Sequence, residues 1–281
     1  METYKFSLIM ATLGRSDEIA VMIDSLLVQT YKNFELIIVD QNEDDRVMKI
    51  YEQYKNKLEL HYFKSNKKGI SFNRNIGLGN TSGNIIAFPD DDCEYDSNTL
   101  EKVVIFFNTN ENYDFYTCNT KEKNSDNTVL QMPKKNKEIN KSNFLNLGIS
   151  ITIFIRSESI TNFLFDEQLG VGAPFGSGEE SDLLLYLIKN KTKGRYHAGD
   201  FIYHPGKSET LLRIYSYSMG FGALIKKSIR VYRFYSMFFL FSYMLLRNIC
   251  KLFLRPRDKT THFVIKGRLS GFIRYKPIIN T

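Results

Sequence analysis

The first hundred residues alternate between two hydrophobic periods, and that alternation limits the folds open to the chain more than any other feature. Lys5 to Thr12 is a continuous apolar run that stops before Gly14. Asp17 to Val28 then places Ile19, Met22, Ile23, Leu26 and Leu27 on one helical face. Phe34 to Val39 reads as a buried strand stopping at Asp40, and Arg46 to Tyr54 as a helix. Leu58 to Phe63 is a further strand, Ile70 to Leu78 a helix, and Asn84 to Phe88 another strand. Leu100, Val103, Val104, Phe106 and Phe107 form the next helical face. Strands separated by helices of about ten to fifteen residues predict βαβ units and a parallel sheet. In open sheets of this kind ligands bind beyond the carboxyl ends of the strands. Thr12, Asp40 and Asp90 to Asp92 stand at three such ends, so residues distant in sequence are expected to line one crevice.

From Asp114 to Ile155 the runs shorten: Phe115 to Cys118 is one, and the alternating Ile149, Ile151, Ile153 and Ile155 another. The Lys/Asn-rich stretch from Lys121 to Lys141 is expected to be a mobile surface excursion, with an acceptor-binding loop as the functional alternative. A glycine-rich loop, Gly170 to Gly178, runs into a helix over Glu179 to Lys189. The chain of 281 residues is long enough for one large α/β domain and an appendage. Cys93, Cys118 and Cys250 form no zinc pattern and read as reduced cytosolic thiols. The apolar stretch before Gly14 is too short for a signal peptide, so a cytoplasmic location is expected.

Charge is unevenly placed. The net charge is +7, but Leu224 to Thr281 carries 13 Lys/Arg against the single acid Asp258, leaving the first 223 residues mildly acidic. A basic tail of this kind suits an anionic surface. Within it Phe234 to Leu246 is intensely apolar, with 13 residues between Arg233 and Arg247, where a spanning helix needs about 20. Basic flanks and internal aromatics are the pattern of an in-plane interfacial helix; a core helix packed on the catalytic domain is the other reading.

The stretch FPDDDCEYD, residues 88 to 96, crowds five acids into nine positions after a strand. Alone, it is also what an acidic turn or a helix N-cap at Asp96 or Ser97 looks like. Its companions narrow the choice: Thr12 and Arg15 after the first strand, Asp40 after the next, Gly69 and Arg74 before the fourth, and Gly178-Glu179-Glu180-Ser181-Asp182 downstream. In order, the stretches FSLIMATLGR, FELIIVDQN, KKGISFNRNIG, GNIIAFPDDD and GSGEESDLLL resemble the family 2 glycosyltransferases, inverting nucleotide-sugar enzymes with a GT-A fold. The resemblance covers roughly residues 5 to 205.

It implies a GT-A (Rossmann-like) α/β fold, with a mixed, mostly parallel sheet flanked by helices, to which the basic, aromatic tail adds an expected C-terminal helical membrane-associating appendage. It further implies that Thr12 and Asp40 hold the nucleoside base, and that Arg74 fixes the base or diphosphate. Arg15, Gly69, Asp90 and Asp91 complete the nucleotide site, with Asp90-Asp91-Asp92 as the D-x-D motif. Hard carboxylate oxygens suit Mg²⁺ or Mn²⁺. Asp92 is expected to touch the ion, Asp90 to bond the ribose, the ion or a water on it, and His204 to be a further ligand. The base that takes the acceptor proton falls at Glu180, with Asp182 and Glu179 as rivals, because the motif reads GEE where the family carries GED. Processive relatives carry Gln-x-x-Arg-Trp; a chain without Trp cannot, so one sugar is expected per encounter.

The chain is thus expected to divide into a catalytic domain, 1–210 (nucleotide half 1–112, acceptor half 113–210), and a basic, aromatic helical region, 211–281. The expected activity is metal-dependent transfer of one sugar, from a UDP-sugar by preference, to a glycan acceptor such as a lipid-linked oligosaccharide in bacterial surface polysaccharide assembly. The expected partner of residues 224–281 is an anionic membrane surface, at the inner face of the cell membrane, and not nucleic acid. Two other functions remain on sequence grounds. A nucleotidyltransferase would want a longer Gly-rich loop than Thr12-Leu13-Gly14-Arg15. A single-strand nucleic-acid binder could use the basic tail but leaves the acidic crevice without a purpose.

Overall fold

A computed structural model of the chain describes residues 2–123, 132–206 and 210–277. Eight strands form one sheet: β1 Phe6–Thr12, β2 Phe34–Asp40, β3 Glu59–Lys64, β4 Ile85–Ala87, β5 Phe115–Lys121, β6 Lys137–Ile139, β7 Ile153–Arg156 and β8 Gly194–Tyr203. Their order is β3-β2-β1-β4-β7-β5-β8-β6. The β1–β2, β2–β3, β1–β4 and β5–β8 pairs are parallel, whereas β7 and the edge strand β6 pair antiparallel. Helices α1 Asp17–Leu27, α2 Arg46–Tyr54, α3 Ile70–Leu78 and α4 Thr99–Thr109 connect the first five strands. The mixed, mostly parallel sheet expected from sequence is present.

Strands β1 and β2 are buried almost end to end and mainly apolar because both faces are covered, as in parallel sheets generally. Phe6, Leu8 and Met10 of β1 and Leu36 and Ile38 of β2 join Ile19, Met22 and Ile23 of α1 and Leu100, Val103 and Phe107 of α4 in one core. The register Phe6↔Phe34 through Thr12↔Asp40 brings the last residues of β1 and β2 side by side. All of this lies in one compact unit: residues 1–68, 72–164 and 190–206.

A second unit contains residues 69–71, 165–189 and 207–281, so 165–189 groups with the C-terminal helices. Its elements are α5 Glu179–Lys189, α6 Leu211–Arg230, α7 Ser236–Leu254 and α8 Lys259–Arg274. Helices α6 and α8 cross so closely that a Cβ on Gly271 would lie 1.9 Å from the Met219 carbonyl oxygen, and one on Gly222 2.1 Å from that of Arg268. Only residues without a side chain permit this crossing. At the centre of the unit, Lys227 of α6 lies 2.7 Å from Asp182 and 3.1 Å from Asp166. Tyr232 donates to Asp182 and Tyr275 to Asp166.

Three sequence expectations need revision. The alternation Ile149 to Ile155 suggested one strand, but only Ile153–Arg156 is extended. The Thr152 hydroxyl accepts from the Ile149 N–H and donates to the Ile149 carbonyl, closing a 3-10 turn over Ser150–Thr152. The polar stretch 121–141 ends in strand β6, paired with β8; its middle, 124–131, lies outside the described residues. Helix α7 runs 19 residues, past Arg247 and Lys251, because neither residue disfavours helix. Charge boundaries do not set helix boundaries here.

Replacing Lys227 by Met should leave Asp166 and Asp182 buried without their cation. Losses from breaking a buried ion pair run to about 3–5 kcal/mol, so urea denaturation should show a stability drop of that order. A loss below about 1 kcal/mol, the worth of an exposed pair, would show that the two tyrosines alone satisfy the carboxylates.

Candidate functional site

The sheet order reverses at β1, which has β2 on one side and β4 on the other. Chains leaving the carboxyl ends of two strands at such a point diverge and open a crevice. Thr12 closes β1 there, and Asp90 to Asp92 follow β4. The Thr12 hydroxyl donates to Asp91 Oδ2 at 2.7 Å, joining the two sides.

The acids are held by cations from two further segments. Arg15, beyond the turn at Gly14, reaches Asp91 at 3.1 Å and Asp92 at 2.6 Å. Arg74 of α3, 1% exposed, reaches Asp90 Oδ1 at 3.1 Å and lies over the Phe88 ring. Two guanidinium groups therefore face three carboxyl groups. Burial pushes the Asp91 carboxyl up to about 6, against the pull of Thr12 and Arg15 and with a further rise from Asp90 and Asp92. Asp91, bonded to Thr12 and Arg15, is tied into the protein; Asp90 and Asp92 are the pair with a histidine beside them.

That histidine is His204, just past β8. Its Nδ1 lies 2.7 Å from the Pro205 carbonyl oxygen, and since a carbonyl only accepts, Nδ1 carries a proton. Nε2 then faces Asp92 Oδ1 at 3.2 Å and Asp90 Oδ2 at 3.8 Å. A bare imidazole lone pair would be repelled by those oxygens, so a proton or a cation belongs between them. One ligand atom from each of Asp90, Asp92 and His204 can be chosen so that all lie within 4.8 Å of one another. The two Nε2 separations lie within the ~4.2 Å that donors on opposite sides of a Mg²⁺-sized ion can span. Two carboxylates and an imidazole fit a hard to borderline divalent ion. A cavity of about 570 Å³ adjoins them, lined in part by Arg15, Asp92, Lys123 and His204.

Asp40 is fully buried and its oxygens are engaged. Oδ1 accepts from the Asn42 backbone and side chain at 2.8 and 2.7 Å, and Oδ2 from Tyr62 at 2.7 Å and Lys64 at 3.0 Å. Asn42 also accepts from the Gly14 N–H at 2.6 Å, so Asp40 organises the loops after β1 and β2. Sequence reading did not single out Asn42, Tyr62 or Lys64. The available signal was the register Asp40↔Lys64, which places Tyr62 and Lys64 on one face of β3. A cleft of about 520 Å³, lined by Gln41, Asn42, Lys64, Ser65 and Lys68 among others, opens beside them.

The remaining sequence candidates belong to the second unit. Gly69 has a φ of 128°, and the next residue, Ile70, donates its N–H to the Val171 carbonyl. At the start of α5 the three acids have different surroundings. Asp182 is fully buried against Lys227 and Tyr232, and burial raises its pKa despite those partners. Glu179 is buried and Glu180 half-buried. Lys227 and Tyr232 were also absent from the sequence reading.

Comparison with known proteins bears on this arrangement. The family model described as glycosyl transferase family 2 matches residues 7–170. A relative from Escherichia coli, described as a UDP-Glc:alpha-D-GlcNAc-diphosphoundecaprenol beta-1,3-glucosyltransferase, is 27% identical over 201 residues, covering 71% of this chain and 76% of its own. Two other curated relatives, both named only as uncharacterized glycosyltransferases, are matched over just 18% and 62% of their own lengths. Among solved structures, S. aureus TarS 1–349 in complex with UDP-GlcNAc superposes with a TM-score of 0.63 at 17% identity, covering 95% of this chain and 91% of that one. Mannosyltransferase PcManGT from Pyrobaculum calidifontis, in complex with GDP-Man and Mn²⁺, gives a TM-score of 0.68 at 12% identity, covering 96% and 87%. These structural likenesses are to the glycosyltransferase A-type fold.

Binding of Mn²⁺, followed by loss of the free-ion electron paramagnetic resonance signal, should weaken by about tenfold or more in His204→Ala and in Asp92→Ala. Outer-shell changes alone cost 10–100-fold at metal sites. Wild-type affinity in both variants would remove these residues from the ligand set.

Proposed function

Given that the chain belongs to glycosyl transferase family 2, we propose that it transfers one sugar, with inversion, from a nucleotide-sugar donor to a hydroxyl of a glycan acceptor. The observation that carries this reading is the Asp90, Asp92 and His204 cluster beside the strand-order reversal. Asp92, Asp90 and His204 would hold the divalent ion, and a nitrogen among the donors favours Mn²⁺ over Mg²⁺. When bound, such an ion neutralises charge on a departing diphosphate. Arg15 and Arg74 hold the carboxylates in place for it. Thr12 fixes Asp91, and Asp40, with Asn42 and Lys64, shapes the cleft that we assign to the nucleoside.

The donor is a UDP-sugar in this reading, supported by the donor named for the E. coli relative and the ligand of the TarS structure. The acceptor is a lipid-linked oligosaccharide of a bacterial surface glycan, supported by relatives described as acting on undecaprenol-linked glycans. Such an acceptor places the protein at the inner face of the cell membrane. Glu180 is the base in this reading: it matches the second acid of the family motif, and it is less buried than Glu179 or Asp182. Asp182 is a positioning residue, its carboxylate engaged by Lys227 and Tyr232. In functional terms residues 1–210 form the catalytic domain and 211–281 an accessory region.

Two measurements test the reading. Incubation with a panel of nucleotide sugars and Mn²⁺ should give slow hydrolysis of a UDP-sugar that stops when the ion is chelated; no turnover of any donor would refute it. Glu180→Gln should lower transfer by roughly 10² or more, the usual scale of lost general-base catalysis, while donor affinity stays near wild type. Retention of more than about a tenth of the rate would move the base elsewhere.

A further inference from the structure

Helix α7 presents an apolar face that none of the described residues of its own unit covers. Phe238, Phe239, Tyr243, Leu246, Phe253 and Leu254 are all exposed, Phe239 at 75% and both Phe253 and Leu254 at 84%. At 100° per residue these six fall within a sector of about 160°. Met237, Phe241 and Asn248, the buried residues of the helix, lie on the opposite side. There Phe241 stacks on Phe272 of α8, ring centroids 4.9 Å apart. The helix is thus anchored along one side and open along the other for its whole length. An exposed apolar surface of this extent marks an interaction site.

Charge identifies the occupant. Arg247 and Lys251 are exposed at one margin of the apolar sector. Arg230 and Arg233 precede the helix, and Arg255 and Arg257 follow it, all exposed. The single acid after Leu224, Asp258, pairs with Lys251 at 2.9 Å. An apolar sector set among cations, with Asp258 on Lys251 as its one neighbouring acid, matches a bilayer interface containing anionic lipid: acyl chains for the rings, headgroups for the basic side chains. A second copy of this face would supply the same positive charges and repel.

The helix has the length and composition to cross a membrane, and only 11% of its apolar window is buried. Two features oppose crossing. Arg247 and Lys251 sit within the span, where a bilayer core penalises charge. The anchored side is held by α6 and α8, and α8 is polar along Lys259, Thr260, Thr261 and His262, so a spanning α7 would have to leave its partners. In the plane of the interface every one of these groups keeps a suitable environment.

We propose that α7 lies flat in the headgroup region of an anionic membrane, with Phe238, Phe239, Tyr243, Leu246, Phe253 and Leu254 inserted and Arg247 and Lys251 on the lipid phosphates. The proposal stands apart from the transferase reading and needs no turnover for its test. Cys250 is exposed on the same face, whereas Cys93 and Cys118 are buried, so the native chain carries one accessible thiol at the membrane contact. The full-length protein, labelled at Cys250 with an environment-sensitive fluorophore, is mixed with vesicles of phosphatidylcholine alone or with phosphatidylglycerol added. A blue shift and co-flotation with the anionic vesicles, at least tenfold weaker with the neutral ones, is expected. Both should be lost in Phe239→Ser/Phe253→Ser, whose positions are too exposed for the change to affect folding; an unchanged thermal melt checks this. No shift with either vesicle overturns the proposal. So does sedimentation as a dimer that the double variant abolishes, which would assign the face to a second copy. Resistance to alkaline carbonate extraction would show a spanning helix and overturn the in-plane placement.

Discussion

Three consecutive carboxyl groups stand where the strand order turns back between β1 and β4, and the architecture of the first unit can be understood as what holds them. Like charges so close repel strongly once removed from bulk water. Arg15 arrives from the loop after β1, Arg74 from α3, the Thr12 hydroxyl from the end of β1 and His204 from the end of β8. Two fixed positive charges meet three acids, and His204 Nε2 faces Asp92 across a gap that a proton or a cation must bridge. Two carboxylates and an imidazole gathered in this way form a donor set that fits a divalent ion.

Much of this was legible in the sequence, for a definite reason. Strands buried on both faces read as mainly apolar runs, and the helices between them show one apolar face, so β1 to β4 and α1 to α3 lie within one or two residues of their expected bounds. The acids at the strand ends follow from where such runs stop. The support for those acids is less visible, because it depends on register. Tyr62 and Lys64 reach Asp40 only because β3 pairs with β2 in parallel at Asp40↔Lys64. No local pattern in Glu59 to Lys64 announces that contact. Likewise Lys227 and Tyr232 lie 45 and 50 residues beyond Asp182, on elements whose packing the chain order does not specify. The Ile149 to Ile155 alternation failed for the opposite reason: one local side-chain bond, from Thr152, outweighed the period.

The start of α5 shows how identical chemistry is sorted by surroundings. Glu179, Glu180 and Asp182 all gain from the positive end of a helix dipole, so sequence alone ranks them only by family position. Packing separates them. Asp182 has a lysine and a tyrosine on its two oxygens and no exposed surface, which fixes its charge to the fold and removes it from exchange with solvent. Glu180 is the acid of the three that is least buried. A group that must accept a proton from an incoming hydroxyl has to be reachable, and one that anchors a helix must not be.

The same lysine ties that helix to the rest of the second unit. Lys227 belongs to α6, which crosses α8 at glycine contacts and continues through Arg233, a non-glycine residue with a φ of 63°, into α7. A Cβ at Gly222 or Gly271 would collide with backbone, so α6 and α8 have little room to slide. The stack of Phe241 on Phe272 sets α7 against α8. The start of α5 and the apolar face of α7 are thus parts of one tightly packed body, linked by a buried ion pair at one end and an aromatic stack at the other. Whatever surface α7 rests on, the orientation of α5 is set relative to that surface by contacts that side-chain rotation alone cannot release.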